Sequence, residues 1–180
     1  MESKPTFFTG FTHGANSIWA ARAEAADHPI HITRLRRLPC TPYKNEITHP
    51  IRTCHLRDAI PWLAMAGETR HQISPRGAFF RLEWFTVKDA DAVVAIGFLL
   101  GGIMCGTTGW TCQTFIEKSG SGEKLYFFDQ HSGSWLRYVS YRKWEVRDPP
   151  PALSSMGKVA LIGSRVVNER GRKAILSCTF

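Results

Sequence analysis

A chain of 180 residues with 43% apolar and 12% aromatic side chains is long enough for one domain with a full core, and its composition excludes wholesale disorder. It has no run of about 18 uncharged apolar residues, which argues against a membrane-spanning helix. The formal charge of +8 fits a soluble basic surface, an anionic small ligand or a nucleic acid.

Nucleic acid is disfavoured because the basic residues are scattered. The densest groups, Arg34-Arg36-Arg37 and Arg137-Arg142-Lys143, make no long tract. Five cysteines, an odd number without compact spacing, argue for reduced thiols in a cytosolic setting. The opening Met1-Glu2-Ser3-Lys4-Pro5 lacks the apolar core of a secretion signal.

In chain order, Phe7-Phe8-Thr9 reads as a short buried strand ending at Gly10-Phe11-Thr12-His13-Gly14. A helix over Ser17–Ala26 follows, alanine-rich and free of breakers, with Asn16 or Ser17 as its cap and Pro29 as its stop. The first half of Ile30–Leu38 alternates as a second strand. Residues 39–78 are rich in proline and histidine and read as an insertion or lid, with a helix around Leu56–Met65.

The run Ala92–Leu100 is apolar throughout, as in a central parallel strand buried on both faces. A glycine-rich loop over Gly101–Gly109 and a helix over Trp110–Lys118 are expected next. Lys124–Gln130 then reads as a strand, Trp135–Val146 as an edge strand or hairpin, and Val159–Ile162 as a last strand. Gly163-Ser164-Arg165 is the turn before a final helix over Val167–Ser177.

Three stretches, Thr6–Ala26, Ala92–Lys118 and Lys158–Thr179, therefore share one plan of strand, glycine-bearing turn and helix. Such a turn aims backbone N–H groups and a positive helix end at empty space, a ready site for phosphate. Gly106, Thr107, Thr108 and Gly109 form the first candidate cradle. Gly10, Thr12, His13, Gly14 and Asn16 form the second, and Gly163, Ser164 and Arg165 the third, with Arg165 placed to clamp a phosphate. Arg81 either contacts phosphate or braces Glu83 or Asp89. Trp84 reads as core, and Trp110 as either core or a stacking platform. Asp129 ends a strand and either binds ribose or, the favoured reading, caps the Ser132-Gly133 turn. His49, Cys54 and His55, with Cys40 far away, do not make zinc spacing, so no metal is expected.

Several segments resemble one family. Phe8-Thr9-Gly10 with Gly14-Ala15-Asn16 resembles the "SGGAxGAD" opening of the SLOG superfamily, the DprA/LOG-like Rossmannoid group. Arg81–Gly97 resembles its "RNWxxVKxADAVYAIG" segment, and Gly106–Gln113 its "GGTGWAxQ" loop. Lys124–Tyr138 and Ala160–Ile175 are similar to its later strand and terminal motifs, in the same order. The resemblance implies an α/β fold, a Rossmann-like three-layer sandwich with a mostly parallel central sheet. It also implies a nucleotide or nucleotide-derived anionic small molecule as ligand, self-association into a homo-oligomer and no further cofactor. Members include nucleoside monophosphate phosphoribohydrolases and non-catalytic sensors, often in conflicts between bacteria and phages. The hydrolase glutamate has no match here: Gln113 stands near its place and cannot act as a base. Phe11 replaces a loop glycine and Asn16 an aspartate. A binding, sensing or sequestering role is therefore expected, with hydrolysis through Glu83 or Asp129 as the alternative and single-stranded nucleic acid as a further one.

Overall fold

The computed structural model describes residues 5–10, 13–35, 42–51 and 82–180, with the backbone alone for Leu35. Thr12, Phe11, Arg81 and the helix expected around Leu56–Met65 lie outside the described residues.

The chain is α/β, built around an eight-stranded sheet with helices on both faces. Its strands are β1 (Thr6–Gly10), β2 (Ile30–Leu35), β3 (Glu46–Ile51), β4 (Ala92–Gly97), β7 (Leu125–Asp129), β8 (Ser134–Ser140), β9 (Lys143–Val146) and β10 (Lys158–Gly163). A small separate hairpin pairs β5 (Leu99–Leu100) with β6 (Ile103–Met104). The spatial order is β3-β2-β1-β10-β4-β7-β8-β9. Strands β3 to β7 of that order are parallel, and the β8–β9 hairpin closes one edge antiparallel. Among the described residues the helices are α1 (Ala15–Ala25), α2 over 82–87, α3 (Gly106–Ser119) and α4 (Glu169–Ser177), with a short 3-10 turn at Leu153–Met156.

The central strands show why three layers form. Side chains alternate across a strand, and both faces of β4 and β10 are apolar. Val94, Ile96, Val159 and Leu161 pack under α1 and α4 with Trp19, Ala23, Ala174 and Ile175. Val93, Ala95, Ala160 and Ile162 pack under α2 and α3 with Trp84, Trp110, Phe115 and Ile116. Every residue of Ala92–Gly97 is buried, as a strand covered on both sides requires.

Three expectations change. Glu46–Ile51, within the stretch read as an insertion, is strand β3 at the sheet edge, where Pro50 costs no ladder bond. The apolar run read as one strand to Leu100 ends at Gly97. Its last residues turn through Gly101 and Gly102, both at positive φ (57° and 79°), into the β5–β6 hairpin. The third concerns α3, which begins at Gly106 rather than Trp110, so the expected cradle is the first turn of a helix. Of the residues in the two basic clusters, Arg34 pairs with Glu46 at 2.5 Å and Arg137 with Glu145.

Topology fixes where a ligand belongs. From β1 the chain runs outward through α1 to β2 and β3, and from β4 the other way through α3 to β7. Strand β10 fills the gap between β1 and β4. The carboxyl ends of β1, β10 and β4 are thus the switch point where open parallel sheets bind ligands.

Candidate functional site

Two of the three turns meet at that rim. Gly14 (φ 90°, ψ −133°) is the N-cap of α1, and a Cβ there would sit 2.4 Å from Ser164 O and 2.5 Å from the Arg165 backbone. A Cβ on Gly163 would lie 2.4 Å from the Ala15 methyl and 2.7 Å from Ile96 O. These glycines let α1 and the β10 turn touch backbone to backbone. Asn16, expected as a cap, lies inside the first turn of α1. It is buried, and its Oδ1 accepts from Gly163 N at 3.0 Å. The N-cap residue, Gly14, has no side chain to cap α1. His13 is exposed just before it.

The turns nevertheless do not offer the free amides that the sequence suggests. Gly163 N donates to Asn16, Ser164 N to Ile96 O at 2.8 Å, and Ala15 N to Ser164 O at 3.0 Å. The Ser164 hydroxyl donates to Val166 O and accepts from Gln130. What this part of the rim presents is side chains: the Asn16 amide, exposed Arg165 and one buried carboxyl.

That carboxyl is Glu83, on α2. It is 8% exposed, and a Cβ on Gly10 would fall 3.4 Å from its Oε1 and 2.7 Å from Asn16 Nδ2. Thr111, one turn into α3, holds Oγ1 3.4 Å from Glu83 Oε2 and donates to Thr107 O at 2.8 Å. Burial pushes the Glu83 pKa up to about 7, against the opposing pull of the Thr111 hydroxyl and the Arg165 charge. Four elements (β1, α1, α2 and the β10 turn) thus gather Gly10, Asn16, Glu83 and Arg165, with Thr111 from α3 beside them.

The first turn of α3 splits. Thr111 belongs to the rim, whereas Gly106, Thr107, Gly109 and Trp110 line a different hollow, toward the β8–β9 hairpin. Neither Gly10 nor Gly163 lines it. Gly109 has a packing reason: a Cβ there would be 2.2 Å from Met104 O. Thr108 is buried, its methyl 3.5 Å from where a Cβ on Gly97 would lie. The amides of the first helical residues, Gly106 and Thr107, have no intrahelical partners, and the N-cap Cys105 makes no side-chain bond to them. Trp110 is 8% exposed and belongs to the core under α3 while also edging this hollow. Trp84 is core, as expected.

Asp129 takes the structural role. Its carboxylate accepts from Leu99 N at 3.1 Å, His131 N at 3.3 Å and Ser132 N at 2.9 Å. Burial alone would raise its pKa, but these bonds, led by Ser132, outweigh burial and hold it below the ordinary value. The stabilisation is complete at neutral pH and fades as pH falls through the folded pKa. Asp129→Ala should cost about 1–3 kcal/mol by orphaning those amides, measured by urea denaturation. A loss well under that range would remove Asp129 from this role.

Gln130, which sequence reasoning passed over, holds the arginine loop. Its amide nitrogen donates to Ser164 Oγ and Val166 O, and its Oε1 accepts from Asn168 N at 2.8 Å. Asn168 caps α4 by accepting from Gly171 N at 2.9 Å, so the helix begins at Glu169 and not at Val167. Arg165 therefore stands four residues ahead of the helix. Among the described residues no group of three or more metal-ligating side chains occurs, and no helix is long and apolar enough to cross a membrane.

The chain matches no family model, no curated protein and no solved structure. Its function has to be argued from the rim itself.

Proposed function

We propose that this protein binds a nucleotide or nucleotide-derived anionic small molecule at the carboxyl rim of β1 and β10, as a sensor, binder or sequestering protein of the SLOG kind. One observation carries the reading. Two glycine turns from opposite ends of the chain pack backbone to backbone at the sheet's switch point, and there they set a cation, an amide and a buried carboxyl side by side. Arg165 supplies a planar guanidinium for phosphate. Ionised Glu83 suits a ribose hydroxyl as acceptor, beside the Asn16 amide at Gly10. In this reading the protein works in the cytosol, self-associates, and takes part in conflict between bacteria and phages.

Calorimetric titration with nucleoside mono- and diphosphates and cyclic dinucleotides tests it. Arg165→Ala should weaken binding by roughly 1.5–3 kcal/mol, the range of a charge-assisted hydrogen bond. An unchanged dissociation constant takes Arg165 out of the site. Thr107→Val should leave binding at the rim unchanged, since its side chain lines the hollow on the other side of α3.

Glu83 favours a second reading, hydrolysis of the N-glycosidic bond of a nucleoside monophosphate. A carboxyl titrating near 7 can serve as acid or base at neutral pH, which Gln113 cannot. Release of free base from a nucleoside monophosphate, lost in Glu83→Gln, would establish this reading over simple binding. No base release with binding intact would leave the protein a binder.

A further inference from the structure

The hollow on the far side of α3 is a site in its own right. Its volume is about 680 Å³, within the roughly 300–1,000 Å³ typical of small-molecule sites. Trp110, Tyr138, Tyr141 and Trp144 line it, with Gln113 and Glu117 on the α3 side. Trp144 Nε1 donates to Gly102 O at 2.8 Å, tying the β5–β6 tip to β9. The same ring meets Tyr138 edge-on with centroids 5.4 Å apart, and Phe127 at 5.3 Å. Gly102 approaches the Arg142 backbone so closely that a Cβ would lie 2.7 Å from Arg142 O. The walls are therefore fixed by tertiary contacts between two hairpins.

The polar side is oriented too. Gln113 Nε2 donates to Glu117 Oε1 at 2.6 Å, which sets the carboxylate one helical turn along the same face. Glu117 also acts on Tyr138, whose pKa is raised by burial first and by this carboxylate second. Tyr141 is 70% exposed at the mouth, with the Arg142 guanidinium 5.2 Å from its ring centroid. Aromatic faces take flat rings or cations. The Arg142 charge at the mouth opposes a cation, whereas the carboxylate calls for N–H donors.

We propose that this hollow binds a flat, neutral heteroaromatic ring carrying adjacent N–H donors on one edge, a guanine-type base, stacked on the aromatic wall and read by Glu117 with Gln113. A carboxylate has two oxygens that match such a donor pair, and Gln113 offers both a donor and an acceptor beside it. The site needs no phosphate and stands independently of the rim.

Titrating the full chain with guanosine, inosine, adenosine and choline while following tryptophan fluorescence tests this. Guanosine should quench saturably and bind tighter than inosine, which lacks one donor, and than adenosine and choline. Glu117→Gln should weaken guanosine about tenfold or more, the loss expected for a hydrogen bond to a charged group. Tyr141→Ala, at an exposed position, should weaken every base without disturbing the fold. Inorganic phosphate, the group assigned to the rim, should leave guanosine affinity unchanged, so failure here and failure at the rim are separable. Absence of saturable quenching in folded protein would overturn the proposal. So would guanosine binding that neither Glu117→Gln nor Tyr141→Ala alters, or choline binding tighter than guanosine.

Discussion

Glu83→Gln should make the protein more stable at pH 8 and leave its stability at pH 4 nearly unchanged. The buried carboxyl titrates at about 7 in the folded protein against an ordinary 4.5. Its folded pKa is raised, so the folded state holds the proton that the unfolded chain has released. The favourable contribution is complete below the unfolded pKa and is lost as pH rises through 7. The rise from 4.5 to about 7 makes ionised Glu83 cost on the order of 3 kcal/mol above pH 7. Glutamine removes that cost and keeps the shape. Urea denaturation of both proteins across pH 4–8 measures it. A pH-independent difference would mean that Glu83 is neither buried nor perturbed as described.

A stabilising change at a buried charged position is what a site kept for binding or chemistry leads one to expect. Proteins hold such groups at a cost in stability because function needs them. Glu83→Gln should therefore gain stability and lose ligand affinity or turnover together.

Gly14→Ala should be among the most damaging single-atom additions to this chain. The backbone at φ 90°, ψ −133° disfavours any side chain, and the new methyl would meet Ser164 O and the Arg165 backbone at 2.4–2.5 Å. Strain of about 1–3 kcal/mol adds to overpacking of similar size, for a loss of roughly 2–6 kcal/mol. That corresponds to a fall in melting temperature of order 10 °C for a chain of this length. Gly101→Ala is the control. It also sits at positive φ (57°), but with nothing within 4 Å of the added carbon, so only strain remains. Thermal unfolding should show Gly14→Ala losing clearly more than Gly101→Ala. Equal losses would mean that the two turns do not pack as described.

The fold was legible where burial leaves a one-dimensional trace. Ala-Val-Val-Ala-Ile-Gly and Val-Ala-Leu-Ile declare strands covered on both faces, and the alanine-rich stretch after Gly14 declares a helix. Segments shaped by tertiary contact were not legible. Two-residue strands such as Leu99–Leu100 and Ile103–Met104 are too short for any periodicity, so a hairpin and a helical turn read as one glycine loop. Strand β3 carries Pro50 and His49 and is mostly exposed, so its sequence shows no alternation.

The geometry of the candidate site was half legible, for the same reason. Gly10, Gly14, Asn16 and Gly163 through Arg165 were named from their turns, and they do meet. The chemistry assigned to those turns was free amides, and the folded chain consumes several of them internally through Asn16, Ile96 and Ser164. Gly109 looked like a phosphate glycine and is a packing glycine against Met104. Glu83 appeared only as a substitute acid, because nothing local in Leu82-Glu83-Trp84 says that its carboxyl is buried beside Gly10. Gln130 gave no signal at all, since its role is to hold a loop more than thirty residues away.

The most direct test of the rim is an amide and side-chain chemical-shift map of the full chain titrated with a panel of nucleotides. At least one member should move the signals of Gly10, the Asn16 side-chain amide and residues 163–165 together, with Arg165→Ala suppressing the response. If every nucleotide in the panel leaves those signals in place, the rim of β1 and β10 is not a nucleotide site.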